Sequence, residues 1–159
     1  MSYWRPFYHL VWATYERLPL IDDRAERLVR GVLHSKAKDL GIFIHESGMV
    51  EDHLHLVVSI PPTRSIAAVV GQLKGSSSHA VNHLFNRAGA RFQWQDGYAV
   101  LSFGERALPA VLAYVRRQKE HHAHGTTNDL FERLAAPDRD TRAGRRRGMT
   151  SPGSHNVAR

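Results

Sequence analysis

The chain contains no cysteine among its 159 residues. Disulfide bonds and thiolate-bound zinc are therefore excluded, because both need cysteine sulfur. Apolar runs of membrane-spanning length are also missing, and the N-terminal Met-Ser-Tyr-Trp-Arg-Pro segment is not a secretory signal. We therefore expect a soluble cytoplasmic protein with no membrane-spanning segment.

Acidic residues are fewer than basic ones, and the imbalance is concentrated towards the C-terminus. The formal net charge is +7. Residues 137–159 contain six arginines and two aspartates, which gives +4 there and leaves +3 for residues 1–136. The arginines could add nonspecific affinity for phosphates, or the segment could be a solvated tail. We predict one domain over residues 1–136 and a basic, disordered tail over residues 137–159.

The hydrophobic pattern predicts the order β-α-β-β-α-β, followed by a further helix. Aromatic and β-branched residues with alternating polarity indicate the strands, and apolar residues at helical spacing indicate the helices. Strands are predicted over residues 7–14, 42–49, 53–60 and within 94–103, and helices over 23–40, 65–86 and 108–122.

Local signals refine the first two helices. Asp23 is placed to cap the first helix, with Glu26 three residues later as in a capping box, and Gly41 is placed to end it. Gly71 and Gly75 lie inside the second helix, where each costs about 1 kcal/mol relative to alanine. They could instead permit close backbone approach.

Two residue pairs have spacings that place each pair on one face. His53 and His55 are two apart in the third strand, so both point away from its apolar face. Tyr114 and Gln118 are four apart on the last helix and also share a face. Two imidazoles, an amide oxygen and a phenol could form a divalent-metal site with a nucleophile, which suits cleavage of a phosphodiester.

The element order matches the split βαβ, ferredoxin-like sandwich. We therefore predict an α+β fold with an antiparallel sheet and an additional C-terminal catalytic helix. Two helices would cover one face of the sheet and leave the other available. The last helix could cross that open face and bring Tyr114 to His53 and His55.

Several polar residues near these motifs are candidates for DNA contacts. Lys74, Ser76 and Ser77 could contact DNA phosphates, or they could form a polar helix face. Arg116 and Arg117 could line a DNA groove, or they could be solvated.

Three histidines follow the tyrosine–glutamine pair. His121, His122 and His124 could join a metal site, since His121 lies one helical turn beyond Gln118. Alternatively they form a solvated helix end, where the helix dipole favours positive charge.

Five segments, in order along the chain, resemble the HUH-superfamily single-tyrosine transposases. These are the TnpA type of small insertion sequences, including relatives associated with repetitive extragenic palindromes (REP). The resemblance covers residues 5–134. The segments are residues 8–14, 52–56, 73–78, 94–98 and 114–118.

The resemblance implies a role for each residue of the His-His-Tyr-Gln set. Tyr114 would be the nucleophile, and His53, His55 and Gln118 would bind a divalent ion, magnesium or manganese. Tyr114 would become linked to a DNA 5′-phosphate with release of a 3′-hydroxyl. The resemblance also implies an obligate homodimer that binds single-stranded DNA hairpins at element ends, on the nucleoid of a bacterial or archaeal cell. The helix of Tyr114 would swing between sites shared with the partner and sites within one subunit.

Three other functions are open alternatives. The first is a noncatalytic protein that binds DNA or RNA hairpins, such as a domesticated transposase. The second is another HUH endonuclease, such as a replication initiator or relaxase. The third is a histidine-rich metal-handling protein without DNA affinity. The His-His-Tyr-Gln set favours an enzyme, and the short chain with one tyrosine four residues before Gln118 favours a transposase.

Overall fold

A computed structural model describes residues 4–85 and 91–128 of the chain. Asn86, the apolar residues Leu130, Phe131 and Leu134, and the basic tail over 137–159 lie outside the described residues. The strands are β1 (Phe7–Ala13), β2 (Phe43–Val50), β3 (His53–Ser59) and β4 (Ala99–Phe103). The helices are α1 (Asp23–Leu40), α2 (Ile66–Leu84), α3 (Leu108–Arg116) and α4 (Gln118–His124).

The four strands form one antiparallel sheet in the order β2-β3-β1-β4. Strands β2 and β3 form a hairpin, and β3 pairs with β1 at the centre of the sheet. This order is that of the split βαβ sandwich, so the predicted α+β, ferredoxin-like fold is confirmed.

The two faces of the sheet are covered by different helices. On one face, Leu54 and Leu56 of β3 join Leu10 and Trp12 of β1 in a core with the apolar sides of α1 and α2. On the other face, a smaller cluster joins β3 to α3 through Val57, Val111, Tyr114 and Val115. Every residue of β3 is therefore buried, including its two histidines. No helix within 4–85 or 91–128 is both long and apolar enough to cross a bilayer.

Helix α1 has the predicted bounds but a different N-cap. The cap is Asp22, whose Oδ1 accepts from the backbone N–H of Ala25 at 2.8 Å. The predicted cap at Asp23 is wrong by one residue, and the capping box does not form because the Glu26 carboxylate binds Arg30 and Lys119. Gly41 ends the helix at φ 65°, as predicted, because glycine adopts this left-handed conformation without a Cβ clash.

The last predicted helix, over residues 108–122, is two helices. Arg117 separates α3 from α4, with φ −96° and ψ 20° outside the α-helical range. Helix α4 restarts there, since the N–H of His121 donates to the Arg117 carbonyl at 3.0 Å. The prediction of one continuous helix was therefore wrong, and the residues after Arg117 occupy positions that a straight helix would not give them.

Close backbone approach occurs at a glycine in β2. A Cβ at Gly48 would clash with the backbone carbonyl oxygen of Val115, so α3 packs directly on the β2 backbone. Where a Cβ would stand at Gly71 or Gly75, no atom from another element of residues 4–85 and 91–128 lies within 4 Å. The suggested close approach at those two helical glycines is therefore wrong.

Candidate metal and tyrosine site

The two histidines of β3 lie on the sheet face that α3 and α4 cover. Both are 0% exposed, and their ring centroids are 5.1 Å apart. His55 pairs in register with Val11 of β1 on one side and Gly48 of β2 on the other. The pair is therefore held at the centre of the sheet, where backbone hydrogen bonds on both sides fix its position.

Each histidine is oriented by a hydrogen bond at its Nδ1 atom. Nδ1 of His55 lies 2.9 Å from Nε2 of His9, and Nδ1 of His53 lies 2.6 Å from Oδ1 of Asp52. A metal-bound histidine commonly donates its second ring N–H to such a partner, which fixes the ring and its tautomer. These contacts suit metal binding through Nε2 of both rings.

Asp52 connects His53 to a strained turn. Its Oδ2 accepts from Nε of Arg17 at 2.8 Å. Burial raises the pKa of the Asp52 carboxyl, but the hydrogen bonds and charges of His53 and Arg17 outweigh it, and the pKa lies below its ordinary value. Asp52 is therefore a carboxylate at neutral pH. Glu16 and Arg17 both have positive φ, 52° and 55°, which is costly for residues with a Cβ.

His9 is the site residue that sequence reasoning missed. It is fully buried on β1, and its ring stacks on His55 with centroids 5.0 Å apart. A signal existed, because His9 has the parity of the β1 positions that share a face with His55. The register that joins these strands, with Val11 opposite His55, could not be read from the sequence.

Tyr114 is brought to the histidine pair by α3. Its side chain is 8% exposed, and its ring centroid lies 6.2 Å from that of His55. The ring of His121 stacks on it at 4.7 Å and 19°. The phenol oxygen accepts from the backbone N–H of Asn128 at 3.0 Å. The last helical segment thus crosses the second face of the sheet and places a phenol beside the imidazoles.

Gln118 begins α4 and is 1% exposed. Its Cβ lies 3.0 Å from the position that a Cβ of Gly48 would occupy. Since Gly48 is the cross-strand neighbour of His55, the Gln118 side chain starts directly beside the histidine pair. The structure thus places all four residues of the His-His-Tyr-Gln set in one region.

One of the three later histidines also reaches this region. The His122 ring lies 4.8 Å from that of His53, and His53, His55 and His122 each offer a ligand atom within 4.8 Å of the others. The sequence had offered His121, His122 and His124, with His121 one turn beyond Gln118, but the break at Arg117 places His121 against Tyr114 instead. A cavity of about 590 Å³ beside His122, lined also by Asp52 and Lys119, opens next to the site.

The candidate DNA contacts on α2 lie on the opposite side of the sheet from Tyr114. The Lys74 ammonium donates to the carbonyls of Gln95, Asp96 and Gly97, and burial lowers its pKa although Asp96 raises it. Ser77 is fully buried and donates to the Leu73 carbonyl at 2.8 Å. The structure thus gives Lys74 and Ser77 internal roles, whereas Ser76 is half-buried and lines an open groove.

The two candidate arginines at the end of α3 are exposed. Nε of Arg116 donates to Oε2 of Glu46 at 2.9 Å, which ties α3 to β2. Arg117 lies at the break between α3 and α4. Both are close in sequence to Tyr114, on the same side of the sheet.

The donor set fits a divalent metal ion. Imidazole nitrogen suits zinc and other later transition metals, and an amide oxygen suits magnesium or manganese. The histidines are buried and oriented by hydrogen bonds, and the cavity lined by Asp52 and His122 lies next to them. Fold and site together define the HUH single-tyrosine class, in which a histidine pair on a central strand faces a tyrosine on a packed helix.

The chain belongs to the family of IS200-like transposases, whose family model matches residues 2–118. The transposase of insertion sequence IS200 from Salmonella typhimurium is 27% identical over 126 residues, covering 77% of this chain and 82% of that protein. The ISDra2 transposase TnpA of Deinococcus radiodurans is 26% identical over 118 residues, covering 71% of this chain and 84% of that protein. By family, this chain is therefore a DNA transposase.

A solved structure supports the fold as well. The structure of a REP-associated tyrosine transposase bound to a REP hairpin aligns with a TM-score of 0.56 at 15% identity. The alignment covers 80% of this chain and 76% of that one. At this identity the likeness concerns the fold.

Proposed function

We propose that this chain cleaves and rejoins single-stranded DNA through a covalent bond to Tyr114. The position of the Tyr114 phenol beside the buried, oriented His53–His55 pair carries the proposal. The phenol oxygen attacks the scissile phosphorus, the bond from phosphorus to the 3′-oxygen breaks, and a 3′-hydroxyl is released. The 5′-phosphate stays on Tyr114 until another 3′-hydroxyl attacks it and frees the phenol, so strands are rejoined without ATP.

The residues around Tyr114 prepare it for this reaction. A phenol has an ordinary pKa of about 10 and is a poor nucleophile at neutral pH. The N–H of Asn128 donates to the phenol oxygen and so fixes its position. Packing of the ring on His121 and within the α3 cluster fixes its direction. A fixed nucleophile loses little entropy in reaching the phosphorus.

His53, His55 and Gln118 are the proposed ligands of a divalent ion, magnesium or manganese. When bound, such an ion polarises the scissile phosphate and stabilises the charge that develops on it. His9 and Asp52 hold the two imidazoles in one tautomer, with Nδ1–H directed at the partner and Nε2 left for the ion. The protein therefore supplies a preorganised set of donors around the reacting phosphate.

The proposed substrate is hairpin-forming single-stranded DNA at the ends of the element, bound by a homodimer in the cytoplasm. Family membership supports it, as does the relative bound to a REP hairpin. Arg116 and Arg117 are proposed to hold phosphates near Tyr114, because both are exposed on its side of the sheet. Ser76 could meet a part of the hairpin that reaches the α2 side. Lys74 would act indirectly, by fixing the loop over residues 95–97.

The proposal is tested by incubating the full chain with labelled hairpin DNA from the sequences flanking its gene, with magnesium or manganese. A covalent protein–DNA adduct is expected on a denaturing gel. Tyr114→Phe and His53→Ala should abolish it. Tyr15→Phe, at an exposed tyrosine outside the site, should retain it. Hairpin binding by folded protein without any adduct would instead indicate a noncatalytic binding protein.

A further inference from the structure

The structure places a third imidazole at the histidine pair. His122 lies on α4, and its ring contacts that of His53 in a tilted arrangement with centroids 4.8 Å apart and planes at 61°. The possible ligand atoms of His53, His55 and His122 all lie within 4.8 Å of one another. Nitrogens that share one ion at about 2.1 Å each lie roughly 3 to 4 Å apart, so only a small closure is needed.

The position of His122 follows from the break at Arg117. The new start of α4 sends His121 to the Tyr114 ring and His122 to the His53 ring. An ion pair between Lys119 and Glu26, at 2.6 Å, holds α4 against α1 in this orientation. His122 is thus presented to the histidine pair by a helix that is itself fastened to the body of the protein.

The two strand histidines and His122 differ in their exposure to solvent. His53 and His55 are fixed inside the sheet, whereas His122 is exposed at the mouth of the cavity that it lines with Asp52 and Lys119. The arrangement thus combines two buried imidazole donors on β3 with one exposed imidazole donor on α4.

We propose that His122 is a third imidazole ligand of the divalent ion and that the bound ion links α4 to β3. The inference rests on the proposed function, because it concerns the same ion. It assigns His122 in addition to Gln118. Since α4 follows directly on the helix of Tyr114, ion binding would also fix the nucleophile within its own subunit.

A three-imidazole set changes the expected metal preference. Magnesium favours oxygen ligands, whereas zinc accepts imidazole readily. The chain should therefore bind zinc at least tenfold more tightly than magnesium. Loss of one imidazole should reduce that ratio, because the remaining donors discriminate less.

Calorimetric titration of the full chain with manganese and with zinc tests the third ligand. His122→Ala should weaken binding of both ions at least tenfold. His124→Ala is the matched control, since His124 is exposed on the same helix and its Nδ1 lies 2.9 Å from the Glu120 carbonyl oxygen, away from the histidine pair. It should bind as the unaltered chain does. Circular dichroism confirms that each variant is folded.

The outcomes separate this inference from the proposed function. If His53→Ala weakens binding and His122→Ala does not, the third ligand is overturned while the His53–His55 site stands. If the unaltered chain binds neither ion, both the His122 ligand and the proposed His53–His55–Gln118 metal site are contradicted. Hydrogen exchange tests this link separately: manganese should protect the amides of α4 more strongly in the unaltered chain than in His122→Ala, where Gln118 is the remaining proposed ligand on α4, and equal protection in both would overturn it.

Discussion

At the scale of single residues, the site depends on hydrogen bonds behind the proposed ligands. His9 and Asp52 each bond the Nδ1 atom of one β3 histidine. The shared face of His53 and His55 could be read from the sequence, because strand faces follow from residue parity. The helical spacing of Tyr114 and Gln118 does not hold, because the break at Arg117 lies between them, and both reach the histidine pair through the packing of α3 and α4 on β2. His9 could not be assigned, because its partnership with His55 depends on strand register.

Replacing His9 with phenylalanine should weaken manganese binding by about 10- to 100-fold, the usual cost of losing such a supporting hydrogen bond. Phenylalanine fills the buried space but cannot accept a hydrogen bond from Nδ1 of His55. Calorimetric titration measures the change. His9→Gln, which keeps an acceptor, should recover part of the affinity. Unaltered affinity in His9→Phe would show that His9 only fills space.

Gly48→Ala should displace α3, because the new methyl group would meet the Val115 carbonyl oxygen, which is backbone and cannot rotate away. We expect a loss of about 1–3 kcal/mol in the free energy of unfolding, as for overpacked cores, and a sharp fall in adduct yield. Urea unfolding and the adduct gel measure these. Gly31→Ala, inside α1 with open space where its Cβ would stand, is the control that should lose neither stability nor adduct yield. A stable, active Gly48→Ala chain would contradict the described packing of α3 on β2.

At the scale of elements, the segment from α3 to α4 packs on the sheet through apolar side chains and makes an ion pair on each side of the break at Arg117. Arg116 bonds Glu46 of β2, and Lys119 bonds Glu26 of α1. The sequence predicted a helix here, but the periodicity of 3.6 extends across Arg117 and gave no sign of the break. At the break, α3 and α4 pack on β2 at Gly48. The hydrophobic periodicity of the sequence carries no information about this tertiary contact.

The attachment of α4 should weaken in acid. Burial raises the pKa of Glu26, but Lys119 and Arg30 outweigh it and hold the pKa below its ordinary value of 4.5. A carboxyl whose pKa is lower in the folded state than in the unfolded state stabilises the fold at pH values above its unfolded-state pKa. That stabilisation is lost as the pH falls through its folded-state pKa. Compared with Glu26→Gln, the unaltered chain should be more stable at pH 7, and the difference should shrink below pH 4.5 in urea unfolding. A difference independent of pH would contradict this assignment.

Helix α2 contains two glycines that its packing does not require. Gly71 and Gly75 have open space where a Cβ would stand, and neither has a positive φ. Gly71→Ala should therefore raise the free energy of unfolding by about 0.4–1 kcal/mol, chiefly by restricting the unfolded chain. Thermal or urea unfolding measures it. A destabilised Gly71→Ala chain would mean that this helix face is less open than the structure shows.

At the scale of the whole molecule, the two faces of the sheet differ: one packs against the larger core, and the other carries the proposed site. One face is closed by α1 and α2 over the larger core, and the other holds the histidines under α3 and α4. The element order was enough to predict this sandwich and the crossing of the last helical segment. The contacts of His122 and His121 were not predictable, because they follow from the direction of a helix only seven residues long.

The central claim is that Tyr114 is the residue that becomes joined to DNA, and peptide mapping tests it most directly. The adduct formed with hairpin DNA and manganese would be digested with nuclease and protease and sequenced by tandem mass spectrometry. We predict a nucleotide 5′-phosphate on the phenol oxygen of Tyr114 and on no other residue. A nucleotide attached to another side chain, or cleavage products without any modified peptide, would contradict the account.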